Sequence, residues 1–331
     1  MLSQKKNVNL CIKQCMDNFE QYYPPKPSIE RKEGKGHISV TIFSMVLFAL
    51  TFSLIINDYL LISFLLLVLL IHELGHFVFM KWFGYKGLKM LFIPFMGAMV
   101  KGEKNLYSEK ESAIMVLAGP LPGILIGYLL LQKGIQVEVY WMIQLGIIFL
   151  LLNVMNLVPI DPLDGGQLLR ILFLGKQELV QLIFSFVSSL SMIIIGVWMD
   201  SWLIIIFGFL LGYRVKNMYK LFRIRKDMQA EEITFESSYE KLSDKAFAKI
   251  KQIVLEYTPI LNKIKEESDE DHFDQIMAHQ VEGVLLVPTK KDASLGFKTF
   301  IFLLWLGAIG LSVYTIWTID FNEVINAFQN R

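Results

Sequence analysis

Histidine and cysteine are scarce in this chain of 331 residues, which has five of the first and two of the second. Cys11 and Cys15 stand four apart in a basic stretch without a nearby histidine. That excludes a disulfide framework and makes a poor metal site, so they read as two reduced thiols. The histidine count excludes a multi-histidine iron oxygenase, because only His72 and His76 fall in apolar sequence. Charged residues are only 19% of the chain, the net charge is +1, and no basic face interleaved with aromatics is sustained anywhere, so nucleic acid is not an expected partner. Internal repeats and low-complexity tracts are missing too. The first 37 residues are polar and lack the apolar core of a signal peptide near the start, which reads as a cytoplasmic arm.

What is abundant is apolar sequence, at 54% of residues with a mean hydropathy of +0.46. Those values describe a polytopic, all-α membrane protein. Measured against the roughly 20 residues a helix needs to cross the hydrocarbon, the apolar runs predict about seven spans, at 38–56, 59–80, 112–131, 140–160, 179–199, 202–222 and 299–319. The sixth is the weakest, since its strictly apolar part stops before Arg214 and Lys216. An apolar stretch too short to span, near 90–101, reads as a re-entrant or hairpin segment, with a plain interfacial loop as the alternative.

Basic residues collect before the first span, in the 81–110 loop and from Arg214 to Lys226, while the alternate loops hold almost none. Positive charge marks the inner side, which orients the chain with its N-terminus cytoplasmic, in the plasma membrane. The expected organisation is an arm at 1–37, a membrane-embedded core at 38–222, a cytoplasmic region at 223–298, a further helix at 299–319 and a short external tail at 320–331. Within the cytoplasmic region, Leu242, Ala246, Ile250, Ile253, Val254 and Tyr257 recur at helical spacing until Pro259, and Val281 to Pro288 has the character of a short strand. His272 and His279 with Asp269, Asp271 and Asp274 read as solvated acidic surface rather than a second metal site. A regulatory partner for this region and a simple spacer are both open.

Inside the second apolar run stands Ile71-His72-Glu73-Leu74-Gly75-His76. On a helix, positions i and i+4 share a face, so His72 and His76 can offer ring nitrogens to one zinc ion while Glu73 flanks its bound water as general base. Ionisable side chains at membrane depth cost several kcal/mol unless they pair, bind a metal or face a wet cavity, so three on one helix need a reason. The charge pattern puts His76 roughly 8 Å below the inner boundary, at about 1.5 Å per residue. A third ligand must come from elsewhere. The fourth run ends on the same side with Asn156-Leu-Val-Pro159-Ile-Asp161-Pro162-Leu-Asp164-Gly165-Gly166, a break tolerated in a membrane only where it is buried in protein or lines a wet cavity. Asp164 is the candidate ligand, and spacing leaves Asp161 as its rival.

These two stretches together resemble the site-2 proteases, zinc metalloproteases that cut peptide bonds within the membrane. His72 to His76 looks like their first motif, and Asn156 through Gly166 is similar to their second, with its Asn, Pro and Leu-Asp-Gly. The resemblance covers about residues 38–220. It implies one zinc ion held by His72, His76 and Asp164, with Glu73 as base and Asn156 holding the substrate or its oxyanion. It further implies a transmembrane or membrane-tethered protein substrate met in the lipid bilayer. Gly119, Gly123 and Gly127 resemble the family's Gly-Pro segment, although ordinary helix packing accounts for them as well. Leu91 to Val100 is similar to the family's hairpin, whose edge can pair with an unwound substrate. The competing readings are a membrane zinc protease of another HExxH family with a distant glutamate ligand, and a non-proteolytic zinc protein acting as a chaperone or transporter.

Overall fold

The computed structural model describes residues 23–29, 38–54, 56–94, 97–174 and 177–319. Cys11 and Cys15, most of the arm and the external tail lie outside the described residues. The chain divides into two compact units, one of residues 1–30 with 223–286 and one of 31–222 with 287–331.

The larger unit opens with α1 (Ile38–Ser53) and α2 (Tyr59–Trp82). Asp58 starts α2 by accepting hydrogen bonds from the Leu60 and Leu61 amides at 2.9 and 3.0 Å, which satisfies donors that no helical carbonyl can reach. An antiparallel hairpin follows, β1 (Lys86–Ile93) and β2 (Gly97–Glu103), with Met90 opposite Val100 and Ile93 opposite Gly97. Gly97 has φ +90°, a conformation that a side chain would strain at this strand start. The hairpin is not a plain loop. Its β1 strand leans on α1 through Phe48, Met90 and Phe92, and two α1 hydroxyls tie it down. Thr41 Oγ1 donates to the Met90 carbonyl at 2.8 Å, and Ser44 Oγ accepts from the Phe92 amide at 3.1 Å.

After β3 (Tyr107–Ser108), helix α3 (Glu109–Ala118) is capped by the Ser108 hydroxyl, with Glu109 and Glu111 placed where the helix dipole favours acids. Gly119 and Pro120 join it to α4 (Pro120–Gln136), which packs closely on α5 (Tyr140–Asn156). A Cβ on Gly127 would lie 2.8 Å from the Phe149 side chain, so small residues set how near these helices come. The turn after α5 leads into α6 (Asp164–Leu169) and a π-helical segment, Arg170–Leu174. Helices α7 (Glu178–Trp198) and α8 (Trp202–Ala230) follow. The apolar run that stops at 222 in the sequence thus sits in a helix that continues to Ala230.

Each of the seven apolar runs contains a helix among the described residues. Among the described residues, four helical stretches are long and apolar enough to cross a membrane: Tyr59–Trp82, Glu109–Gln136, Glu178–Trp198 and Leu295–Trp317. The first and fourth runs form shorter apolar helices of 16 and 17 residues.

In the smaller unit, α9 (Asp244–Tyr257) buries Phe247, Ile250, Ile253 and Val254, as the helical spacing of that stretch predicts. Two helices follow, α10 (Ile260–Glu267) and α11 (Glu270–Val284). The strand expected at 281–288 is therefore a correction: 281–284 is the end of α11, where Met277, Ala278, Val281 and Val284 share the buried face. Residues 23–29 belong to this unit. The Lys26 ammonium donates to the carbonyls of Tyr239, Glu240 and Leu242 at 2.7, 2.9 and 2.6 Å, and the Tyr239 hydroxyl donates to the Pro27 carbonyl at 2.7 Å.

The chain re-enters the larger unit at β4 (Thr289–Lys290), which pairs in parallel with β3. α12 (Leu295–Trp317) follows, packed on α4 and α5.

Candidate metal centre

Helix α2 carries His72 and Glu73 on its buried side, each about 5% exposed, with His76 one turn on. Gly75, between them in sequence, has no side chain because none fits: a Cβ would lie 2.0 Å from the Ala118 carbonyl oxygen. That close approach of α2 to α3 brings the Met115 carbonyl to 2.8 Å from His76 Nδ1.

His72 is held in the same manner from α5, where the buried Asn153 places Oδ1 2.8 Å from His72 Nδ1. The Asn153 amide nitrogen donates to the Phe149 carbonyl at 2.7 Å, which fixes which end of the amide faces the ring. Both histidines therefore meet an acceptor at Nδ1, so Nδ1 carries the proton and Nε2 presents its lone pair.

Those two lone pairs and one carboxylate oxygen converge. His72 Nε2 and His76 Nε2 are 3.1 Å apart, and Asp164 Oδ2 lies 3.1 Å from the first and 3.3 Å from the second. This oxygen is buried and receives no hydrogen bond. The short distances to it are contacts with unprotonated nitrogens, which is why it is near two rings and still unsatisfied. Three mutually repelling acceptors at this spacing fit a cation. For bonds of 2.0–2.1 Å at tetrahedral angles, neighbouring ligand atoms should stand about 3.3 Å apart. Among the described residues, His72, His76 and Asp164 are the one group of three such side chains that could hold a metal. His272 and His279 form no such group.

Asp161, the rival ligand, points into other company. It is 2% exposed, accepts from the Ser185 hydroxyl at 2.9 Å, and its amide donates to Ser188 Oγ at 3.2 Å, both on α7. Arg214 on α8 and Arg170 stand 3.3 and 3.5 Å from its two oxygens. Asp161 thus holds the turn and Asp164 faces the histidines. The two glycines of the turn let it fold this tightly: Cβ atoms on Gly165 and Gly166 would meet the Leu157 and Ile160 carbonyls at 2.0 and 2.4 Å.

Asn156 is part-buried and donates from its amide to the Leu152 carbonyl of its own helix at 3.1 Å, one turn beyond the cluster. The asparagine in contact with the metal group is Asn153, which the motif-based reading passes over. Its signal was faint but present, since it is the other polar side chain in the last turns of an apolar helix. The glycine stripe of α4 also proves to be more than helix packing. A Cβ on Gly119 would lie 2.3 Å from His76 Nε2, and one on Gly123 would lie 2.2 Å from the Asn153 amide. β2 of the hairpin packs against α2, the helix that carries Glu73.

Residues 59–140 match Peptidase family M50. Over 116 residues the chain is 34% identical to stage IV sporulation protein FB of Bacillus subtilis, covering 33% of this chain and 38% of that protein. Over 150 residues it is 31% identical to zinc metalloprotease MJ0392 of Methanocaldococcus jannaschii, covering 42% of each. The chain thus spans about two fifths of the length of these curated relatives. The solved site-2 protease from Methanocaldococcus jannaschii aligns with 60% of this chain and 95% of its own, at 22% identity and a TM-score of 0.41. The match to Peptidase family M50 is thus confined to the segment from Tyr59 to Tyr140, which carries both histidines and the glutamate between them.

Proposed function

We propose that the protein is an intramembrane zinc metalloprotease whose one zinc ion is held by His72, His76 and Asp164, with Glu73 as general base. The observation that carries this reading is the convergence of two tautomer-fixed histidines and an unsatisfied carboxylate oxygen at 3.1–3.3 Å. Two imidazoles and one carboxylate suit zinc and leave a fourth position for water. Zinc bound there supplies Lewis acidity, lowering the pKa of a bound water toward 7 and polarising the scissile carbonyl.

The chain's own residues do the rest. Glu73, buried beside His72, accepts the proton of the attacking water and returns it to the leaving nitrogen. Asn156 supplies a donor toward the developing oxyanion, an effect typically worth a few kcal/mol. The substrate is a transmembrane or membrane-tethered protein, and its helix must unwind locally because a helical peptide bond is shielded by its own hydrogen bonds. β2, which packs beside α2, offers the lost partners by strand addition. Seven crossings, a cytoplasmic N-terminus and residence in the plasma membrane complete the reading, supported by the distribution of Lys and Arg. Residues 223–298 are the place for a regulatory partner.

The test is cleavage of a single-span reporter by purified protein, with and without a zinc chelator. Activity should require zinc and vanish in Glu73→Gln, while that variant keeps its metal. Full cleavage by Glu73→Gln would falsify the assignment of the base. Chelator-insensitive cleavage would remove the metal from the reaction.

A further inference from the structure

Among the described residues, helix α12 makes a buried polar contact that falls on the turn that carries Asp164. Trp305 of α12 is 4% exposed, and its indole Nε1–H donates to the Leu157 carbonyl at 2.9 Å. Leu157 closes the C-terminal end of α5, and its carbonyl oxygen is the atom against which the Gly165 backbone rests: a Cβ at Gly165 would lie 2.0 Å from it. Gly165 follows Asp164 directly. A carbonyl at a helix end has no helical donor, so in an apolar setting it needs an outside partner, and Trp305 is that partner.

α12 is also fastened at its start. Asp292 accepts from the Ser108 hydroxyl at 2.8 Å and from the Lys110 amide at 3.1 Å, and Lys298 Nζ lies 3.5 Å from Glu109. Ile301 and Ala308 bury with Trp305 in the cluster that includes Leu117, Leu150 and Leu168. α12 thus grips both α3, whose Met115 carbonyl holds His76, and the end of α5.

We propose that α12 is a working part of the metal centre and that Trp305 is a positioning residue for Asp164, acting through the Leu157 carbonyl and Gly165. The turn is then clamped from two sides, by Trp305 at Leu157 and by Ser185, Ser188 and the arginines at Asp161. This inference rests on the proposed zinc site.

The experiment uses full-length protein in detergent. Trp305 is replaced by Phe and, separately, by benzothienylalanine, which keeps the bicyclic shape and lacks the N–H donor. Ile301→Val serves as control, trimming the same buried face without touching a hydrogen bond. Zinc affinity is measured by chelator competition, thermal midpoint by unfolding, and cleavage with the single-span reporter. Both Trp305 replacements should lower zinc affinity, by roughly three- to ten-fold at the weak end of outer-shell effects, with kcat/KM falling in parallel. Ile301→Val should shift the thermal midpoint and leave zinc affinity unchanged. If the benzothienylalanine protein binds zinc as wild type does, or if Ile301→Val loses as much affinity, the positioning role is wrong. Should Trp305→Phe not fold, the benzothienylalanine protein alone decides. Wild type that binds no zinc would instead sink the proposed function, so the two failures are distinguishable.

Discussion

His72 Nδ1 lies 2.8 Å from Asn153 Oδ1, joining the zinc-motif helix to α5 through a side chain that is itself anchored at Phe149. Asn153→Ala should leave the ring of His72 free to turn and to change tautomer. Metal affinity should fall by about 10- to 100-fold, the usual cost of losing such a partner. Chelator competition on the purified variant measures this, and affinity within two-fold of wild type would refute it.

Gly119→Ala should be costly at a position that looks like spacer. The added methyl would enter the space of His76 Nε2. Overpacking of this kind destabilises by about 1–3 kcal/mol, and here the displaced group is a candidate ligand. The expected result is a lower thermal midpoint together with metal loss, read by unfolding and elemental analysis. Retention of one full equivalent of metal would contradict the geometry.

The two aspartates of the turn should separate cleanly. Asp164→Asn should abolish stoichiometric metal binding. Asp161→Asn should keep the metal but lose about 2 kcal/mol of stability, since it weakens charged hydrogen bonds at a buried site next to two partly exposed arginines. Metal analysis and thermal unfolding of both variants decide it. Metal loss in Asp161→Asn alone would reverse the assignment.

Asp292 supplies a pH dependence. Burial works against its ionisation, but hydrogen bonds from the Ser108 hydroxyl and the Lys110 amide, with Lys290 nearby, hold its carboxyl below the usual range. A lowered folded-state value means stability that is present above the unfolded value of about 3.9 and is lost as pH falls through the folded one. Asp292→Asn should therefore lower the thermal midpoint at pH 7, and the gap from wild type should close below about pH 4. A gap independent of pH would exclude the charged form as the cause.

Lys26→Ala should loosen the smaller unit. Its ammonium serves three carbonyls from Tyr239 to Leu242, so removal should cost about 1–3 kcal/mol. Hydrogen exchange across 239–244 should accelerate while metal affinity stays unchanged. Unaltered exchange would show that the contact contributes nothing.

Much of the centre was legible in the order of residues. The His-x-x-x-His spacing works because one helical turn and a residue fraction bring both rings to the same side, and that is local geometry. The Leu-Asp-Gly turn was visible through its prolines and glycines, which interrupt an apolar helix and so announce a functional break. The hairpin was half visible: a short apolar stretch marks something other than a span, but the α1 hydroxyls that hold its first strand stand 49 and 48 residues away.

The sequence by itself determined the helices, the pair of histidines and the existence of a break at Pro159 to Gly166, because periodicity, apolar length and backbone chemistry act over a few residues. Only the tertiary structure decided between Asp161 and Asp164, found Asn153 behind His72, gave Gly119 its purpose and fastened the last helix to the core through Trp305. Each of these depends on which atoms meet across helices far apart in the chain, and no local rule carries that information.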